Sequence, residues 1–343
     1  FNVAIGAQGE ISHDQRISQR YTLPTPHITH PHWASEYSSV MPEGDTIYRT
    51  AVALRTALLG KKMVDFDAPR LVGLRPQVGQ TIEEVRSRGK HLEIIWDDGV
   101  VLHTHMRMTG SWHLYRVGER WRKPEHRARV VLAVEDWIAV CFSAPVVETY
   151  RDFDPRRHPI LGRLGPDLCR VDADLEECVD RMMNYDEPDM TVAEVLLDQR
   201  VMCGVGNVYR CEILWSCEIS PWAPIATLKR AECREIVQLA AELLQANLHH
   251  ADRVTAPEVP GGLAVYGRQG KTCHRCHDTI KVTHHGEAHR VLYWCPGCQT
   301  MHEPLMRPNF TPLYIERDIT RGDSHPAAVQ FSLDDEDRRV SGY

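Results

Sequence analysis

The chain has 343 residues, of which 43% are hydrophobic and 25% charged, a composition typical of a globular protein with two or three domains. It contains no run of about eighteen apolar residues, so we expect a soluble protein without a membrane partner. The formal net charge of −7 argues weakly against nucleic acid as a partner, because phosphates bind to a positive face.

Residues 1–41 contain three prolines among histidines and polar residues, with no sustained helical or strand period. Such a composition cannot bury a core, so we expect this segment to be a disordered or non-native N-terminal extension. It ends in Met41, and the following Pro-Glu-Gly makes this point read like the start of a protein, forty residues into the chain.

A helix is predicted directly after this point. Ile47, Ala51, Leu54 and Leu58 recur at helical spacing, and the pattern ends before a glycine and two lysines. Asp45 is the predicted N-cap, because a short carboxylate can accept hydrogen bonds from the first free N–H groups.

Two hairpins are predicted next, in "KHLEIIWDDGVVLHTHM" and "RVVLAVEDWIAVCFSAPVVE", each with acidic turn residues between apolar strands. Between them, "RVGERWRKPEHRAR" holds six lysines and arginines against two acidic residues. Such clustering can give a basic cleft despite the net charge. Residues 42–160 are therefore predicted to form a β-rich N-terminal domain with a leading helix.

From residue 161 to 262 the apolar spacing turns helical, and an all-α domain is predicted. Gly204-Val205-Gly206 stands between two helical runs, with Asn207 at the start of the second. The free N–H groups of that helix and Asn207 could hold a phosphate. The alternative is that Asn207 merely caps the helix.

Two CxxC pairs, Cys273/Cys276 and Cys295/Cys298, are separated by eighteen residues that can form a hairpin and return the chain to one tetrahedral ion. Four protein ligands leave no open position for catalysis, so a structural Zn²⁺ is predicted in a module over 263–300. The module is either a purely structural zinc ribbon or, since it also carries several basic residues, a phosphate-binding one. The other seven cysteines are expected to be core or incidental residues in a reducing cytosol: Cys141, Cys169, Cys178, Cys203, Cys211, Cys217 and Cys233. Residues 301–343 are expected to be an acidic flexible tail.

With these motifs in order, the chain resembles the formamidopyrimidine-DNA glycosylase/endonuclease VIII family of base-excision repair enzymes. The resemblance rests on "MPEGDTI", "SRGKHL", "HMRMTG", "HPILGRLGPDL", "LLDQRVMCGVGNVYRCE" and "VYGRQGKTCHRC...HRVLYWCPGCQ". "PEGDT", "HPILGRLGPDL" and "YWCPGCQ" look like the endonuclease VIII branch. The resemblance implies an α+β multidomain fold with an N-terminal β-sandwich, a helix-two-turn-helix domain and a C-terminal zinc finger built on a β-hairpin, with DNA in the cleft between lobes.

The resemblance also implies the catalytic residues. Pro42 would be the nucleophile through a terminal secondary amine, which exists only where nothing precedes it, because a proline nitrogen inside a peptide is an amide. Glu43 would be the general acid and base. Lys90 would contact phosphate or sugar near the lesion, and Thr46 departs from the family where many members have a second glutamate.

Further residues are implied for DNA binding. Asn207 and Arg290 would clamp phosphates, and Met108 with Arg107 matches the position that fills the gap left by a flipped nucleotide. For Met108, packing into the core at a strand end is the alternative. Arg268 belongs to the basic part of the cysteine module and is expected to contact DNA as well.

The implied activity is that of a bifunctional DNA glycosylase and abasic-site lyase. It would remove oxidised bases, pyrimidines by branch resemblance, and cut the strand by β,δ-elimination. We expect a monomer in the bacterial cytosol that binds double-stranded DNA with an oxidised base or abasic site. Two alternatives stay open: an inert binder of damaged or abasic DNA that retains the N-terminal extension, and the same chemistry on oxidised purines.

Overall fold

The described part of the chain divides into two units. The structure is a computed structural model that describes residues 42–151 and 160–305, with the backbone alone of 311–312. Within these ranges, one unit comprises residues 47–151, and the other comprises residues 42–46 together with the chain from 160 onward. The predicted N-terminal extension and most of the predicted tail lie outside the described residues.

The first unit is a β-sandwich. Helix α1 (Gly44–Leu58) leads into it, and the first three residues of that helix belong to the second unit. Eight strands follow: β1 Asp65–Asp67, β2 Ile82–Arg88, β3 His91–Trp96, β4 Val100–His105, β5 Ser111–Arg116, β6 Ala128–Ala133, β7 Trp137–Phe142 and β8 Val146–Arg151. They form two four-stranded sheets with strand orders β1-β6-β7-β5 and β2-β3-β4-β8, in which every pairing is antiparallel.

The core of the sandwich follows from the alternation of side chains along the strands. Leu92, Ile94 and Trp96 alternate on β3 and are fully buried, and Leu132 on β6 and Ala139 on β7 join the same apolar cluster from the other sheet. The apolar side chains of α1 predicted from helical spacing are buried in this cluster too, namely Ile47, Ala51, Leu54 and Leu58. Burial of this stripe explains why the helix forms there.

The second unit is helical at first and then forms a hairpin. Its helices are α2 Leu175–Met183, α3 Val192–Val195, α4 Asn207–Ser216 and α5 Arg230–Ala246. The hairpin consists of β9 (Lys281–His285) and β10 (Arg290–Trp294), and the short β11 (Thr311–Pro312) pairs with β9. Three single 3-10 turns complete the elements of both units: Glu125–Arg127, Leu161–Arg163 and Ile225–Thr227.

The predicted fold class is confirmed, and so is burial of all seven scattered cysteines. Two details of the prediction are wrong. Helix α1 begins at Gly44, so Asp45 lies within its first turn and is not the N-cap. Helix α2 was not predicted, although Asp174 is its N-cap and accepts a hydrogen bond from the backbone N–H of Glu177 at 2.9 Å. None of the helices in the described ranges is long and apolar enough to cross a membrane.

Candidate functional site

The side chain of Glu43 is buried at the N-terminus of helix α4. Its Oε1 accepts the backbone N–H of Val208 at 2.8 Å, and its Oε2 lies 3.4 Å from the backbone N of Tyr209. Free N–H groups and the helix dipole make a helix N-terminus a binding site for anions. The carboxylate of Glu43 therefore occupies the anion site that the sequence predicted for a phosphate.

Two glycines, Gly206 in the turn before α4 and Gly44 after Glu43, allow this approach. A Cβ on Gly206 would lie 2.2 Å from the carboxylate carbon of Glu43. A Cβ on Gly44 would lie 2.7 Å from the Cα of Gly204, whose carbonyl oxygen accepts the backbone N–H of Gly44 at 2.9 Å. The Pro-Glu-Gly and Gly-Val-Gly motifs thus pack against each other because Gly44 and Gly206 have no side chains.

A buried arginine lies beside Glu43. Arg253, in the loop after α5, donates to both carboxylate oxygens of Asp45 at 2.6 and 3.0 Å, and its Nη1 lies 3.8 Å from Oε1 of Glu43. The guanidinium lies over the ring of Tyr209 at 4.8 Å and also donates to the hydroxyl of Thr46 at 3.2 Å. Burial opposes the charge of Arg253, but the carboxylates of Glu43 and Asp45 raise its pKa above the usual value.

Pro42 directly precedes this group and is half-buried. The structure therefore brings the predicted nucleophile and the predicted acid–base residue together in the second unit, at the helix that Asn207 begins. In the 343-residue chain the nitrogen of Pro42 is joined to Met41 as an amide.

Asn207 is also buried, and it is the first residue of α4 with Gly206 as the N-cap. Its side-chain amide donates to the carbonyl oxygen of Val291 at 2.7 Å, and Arg210 on the next turn donates to its Oδ1. Arg290, which precedes Val291, is exposed. Asn207 is thus not a side-chain helix cap, and the structure places it next to Arg290.

Arg268 binds its own loop. It donates to the carbonyl oxygens of Ala264 and Thr272 at 2.5 and 3.1 Å. The same loop is held by Glu212, whose buried carboxylate accepts the backbone N–H groups of residues 264–266 at 2.7 to 2.9 Å. These contacts give Arg268 a structural role, and its contact with DNA stays a prediction.

Three of the predicted site residues lie in the first unit, namely Lys90, Arg107 and Met108. Lys90 follows Gly89 in the turn between β2 and β3, and the backbone N–H of Arg107 donates to Nδ1 of His105 at 3.0 Å. Burial, followed by the charges of Lys90, His103 and Arg107, lowers the pKa of His105 to about 4. Met108 is 48% exposed in the turn between β4 and β5, so it is not core filler.

The four cysteines predicted to bind zinc come together at the base of the β9–β10 hairpin. Their Sγ atoms all lie within 4.8 Å of one another, with 3.7 Å between Cys273 and Cys298 and 3.3 Å between Cys276 and Cys295. Tetrahedral coordination at a Zn–S distance of about 2.3 Å would separate the sulfurs by about 3.8 Å, so the donor set fits such an ion. The indole N–H of Trp215 lies 3.4 Å from the sulfur of Cys273, where it can stabilise a thiolate. The cluster can hold one metal ion.

Comparison with known proteins assigns both units to the family that the sequence resembles. The model of the formamidopyrimidine-DNA glycosylase N-terminal domain matches residues 41–146, and that of the formamidopyrimidine-DNA glycosylase H2TH domain matches residues 164–257. A probable endonuclease 8 2 of Streptomyces coelicolor is 37% identical over 273 residues, which cover 78% of this chain and 96% of that protein. A DNA-(apurinic or apyrimidinic site) lyase Nei2 of Mycolicibacterium smegmatis is 39% identical over 267 residues, 76% of this chain and 99% of that protein.

Solved structures agree on the fold. Lactococcus lactis Fpg in complex with DNA containing an abasic site superposes with a TM-score of 0.64 at 22% identity, over 75% of this chain and 99% of that one. A β-sandwich, a helix-two-turn-helix domain and a hairpin with four cysteines together define the fold of a DNA glycosylase of the Fpg type. The chain belongs to the formamidopyrimidine-DNA glycosylase/endonuclease VIII family, and its relatives place it in the endonuclease VIII branch.

The sequence did not indicate two side chains of the site. Arg253 lies in a loop without a recognisable motif, and Arg210 lies within a helix, where an arginine carries no local signal. Asp45, Asn207 and Arg210 stood in the quoted motifs, but no motif pointed to the contacts that these arginines make.

Proposed function

We propose that this protein is a bifunctional DNA glycosylase and abasic-site lyase of base-excision repair, with Pro42 as the nucleophile. The observation that carries the proposal is the buried carboxylate of Glu43, held at the N-terminus of α4 immediately after Pro42. The printed names of the relatives, an endonuclease 8 and an abasic-site lyase, point to the same chemistry.

The chemistry follows from a free proline amine. The nitrogen attacks C1′ of the damaged nucleotide, the base leaves with a proton, and opening of the sugar ring gives an iminium between Pro42 and the sugar. The iminium acidifies the C2′ proton, whose removal expels the 3′ phosphate, and a second elimination expels the 5′ phosphate. Glu43 is the group within reach to move protons in these steps.

Other residues would bind the DNA. Asn207 and Arg290 would hold phosphates beside the lesion, with Arg268 nearby on the same unit. Met108 and Arg107, exposed in the β4–β5 turn, would fill the space left by the flipped nucleotide, since an exposed apolar side chain suits that task. Lys90 would contact the phosphate or sugar of that nucleotide.

The four cysteines would hold one structural Zn²⁺. Bound there, the ion supplies rigidity and no chemistry, because thiolates fill all four positions. Val291 on β10 binds Asn207, so an ordered hairpin also keeps Asn207 and Arg290 side by side.

Oxidised pyrimidines are the proposed substrates, on the strength of the endonuclease VIII relatives. Rates on thymine glycol, 5-hydroxyuracil and 8-oxoguanine in duplex DNA test this, and faster turnover of 8-oxoguanine would reverse the assignment. We further propose a monomer that acts in the bacterial cytosol. The domain bounds of 42–160, 161–262 and 263–300 are proposed with it.

Borohydride trapping on abasic-site DNA tests the nucleophile. A form that begins at Pro42 is suitable, since the match to the glycosylase N-terminal domain begins at residue 41. We expect it to become covalently linked to the DNA, whereas the 343-residue form should not. Binding by both forms without trapping by either would instead support the inert DNA-binding alternative.

A further inference from the structure

We propose that Arg253 and Asp45 are a positioning pair that orients the Glu43 carboxylate and sets the charge around it. The inference rests on the proposed function, and it adds two residues to the reaction that the sequence motifs did not identify. Neither residue is proposed to touch the DNA.

The three charged side chains of this group are buried. Glu43 and Asp45 are 2% and 0% exposed, and the side chain of Arg253 is 4% exposed. Removing three charges from water costs several kcal/mol for each ion unless partners replace the lost hydration. An arrangement that costly is expected where charge serves a task, because three apolar side chains of similar volume would stabilise the fold equally well.

The guanidinium of Arg253 is held in one orientation. Two of its nitrogens bind the two oxygens of Asp45, so the position of Arg253 is fixed by a bidentate pair. The third nitrogen is then left 3.8 Å from Oε1 of Glu43, the same oxygen that accepts the backbone N–H of Val208. Asp45 therefore aims Arg253, and Arg253 faces Glu43.

The charges of Glu43, Asp45 and Arg253 do not cancel. Two carboxylates face one guanidinium, which leaves one negative charge for the N–H groups of Val208 and Tyr209 and the dipole of α4 to stabilise. Among the described residues, the phenols of Tyr209 and Tyr266 also interact with Glu43. Without Arg253, two carboxylates two positions apart in the chain would share the site without the cation that now lies between them.

Opposite charge changes in the pair give a test that a purely structural role would fail. In the form that begins at Pro42, Arg253→Gln removes a positive charge and Asp45→Asn removes a negative one. Losing the positive charge makes both Glu43 and the Pro42 amine hold their protons to higher pH, and losing the negative charge does the reverse. The acid limb of the pH–rate profile should therefore move up by about one unit in R253Q and down in D45N.

The readout is single-turnover scission of abasic-site DNA across pH, with affinity measured on uncleavable tetrahydrofuran DNA. R253Q should cut at least about tenfold more slowly at neutral pH with little change in affinity, and R253K should recover part of the loss. The matched control is Arg230→Gln, which breaks an exposed ion pair with Glu176 and Asp180 in the same unit. It should leave rate and profile unchanged.

The inference is wrong if R253Q and D45N lower the rate by one factor at all pH values, or if both shift the profile in the same direction. Should R253Q fail to fold, D45N is compared with the charge-conserving R253K, whose profile should stay in place, and an unshifted profile in D45N overturns the inference. A parent protein that binds tetrahydrofuran DNA yet never cuts abasic DNA would overturn the proposed function first, and the inference with it.

Discussion

The carboxylate of Glu43 lies where a side chain on residue 206 would begin, 2.2 Å from the position of a Cβ on Gly206. The φ angle of Gly206 is −121°, which any residue can adopt, so space rather than backbone conformation demands glycine there. Two distant motifs are therefore constrained by one contact. The Gly-Val-Gly turn leaves space for the side chain of Glu43 at the N-terminus of α4.

Gly206→Ala should displace Glu43 and abolish most catalysis. The added methyl group would meet the side chain of Glu43, which must then leave its hydrogen bonds to the α4 amides, so overpacking should also lower the free energy of unfolding by about 1–3 kcal/mol. Strand scission and thermal unfolding measure the two effects. Gly79→Ala is the control, because it introduces strain at φ +97° with nothing near the new Cβ, and it should spare activity.

Met108→Ala should leave stability within about 0.5 kcal/mol of the parent protein, because the side chain is 48% exposed. It should nevertheless slow excision of a base from intact duplex, since nothing then fills the vacated stack. Met106→Ala, two residues away, is the matched comparison. Met106 is 2% exposed, so its truncation should destabilise the protein by about 2–5 kcal/mol. Equal excision rates for M108A and the parent protein would remove the gap-filling role.

Arg290→Ala should weaken binding to all DNA sequences alike. An exposed arginine on a phosphate contributes through counterion release, so the slope of log affinity against log salt should fall by about one. Titrations of fluorescent duplexes at several salt concentrations measure it. Arg234 is an exposed arginine on α5 that pairs with Glu176 on α2, and Arg234→Ala should not change the slope. A loss that depended on sequence would point to base contacts instead.

Features that depend on residues close together in the sequence were predicted well. The cysteine spacing predicted the Cys273–Cys298 cluster, because two short knuckles and a hairpin fix the geometry by themselves. The buried stripe of α1 was equally local. The pairing of Asp45 with Arg253 was missed because it joins residues 208 positions apart, and Asp45 by itself looks like a helix cap.

Zinc removal should uncouple the hairpin from α4. One Zn²⁺ per chain is expected, and Cys276→Ser should abolish it, with loss of DNA binding as Val291 no longer orders Asn207. Metal analysis and binding measure both. Cys217→Ala, at a buried cysteine outside the cluster, should keep the metal. Full DNA affinity in a metal-free C276S protein would show that the hairpin orders itself without an ion.

His285 should make the protein less stable in acid. It is buried on β9, with its ring edge-on to Trp222, and burial, with a smaller contribution from Arg210, lowers its pKa to about 3. An unfolded histidine takes up a proton near pH 6.5, so between that pH and about 3 the unfolded chain binds more protons and stability falls as pH falls. His285→Phe keeps an aromatic ring and removes the titration. The difference in melting temperature, variant minus parent, should therefore rise steadily as pH falls from about 7 to about 4. The exposed His250→Asn should show no such trend, and a constant difference for H285F would mean that this histidine has the same pKa in the folded and unfolded chains.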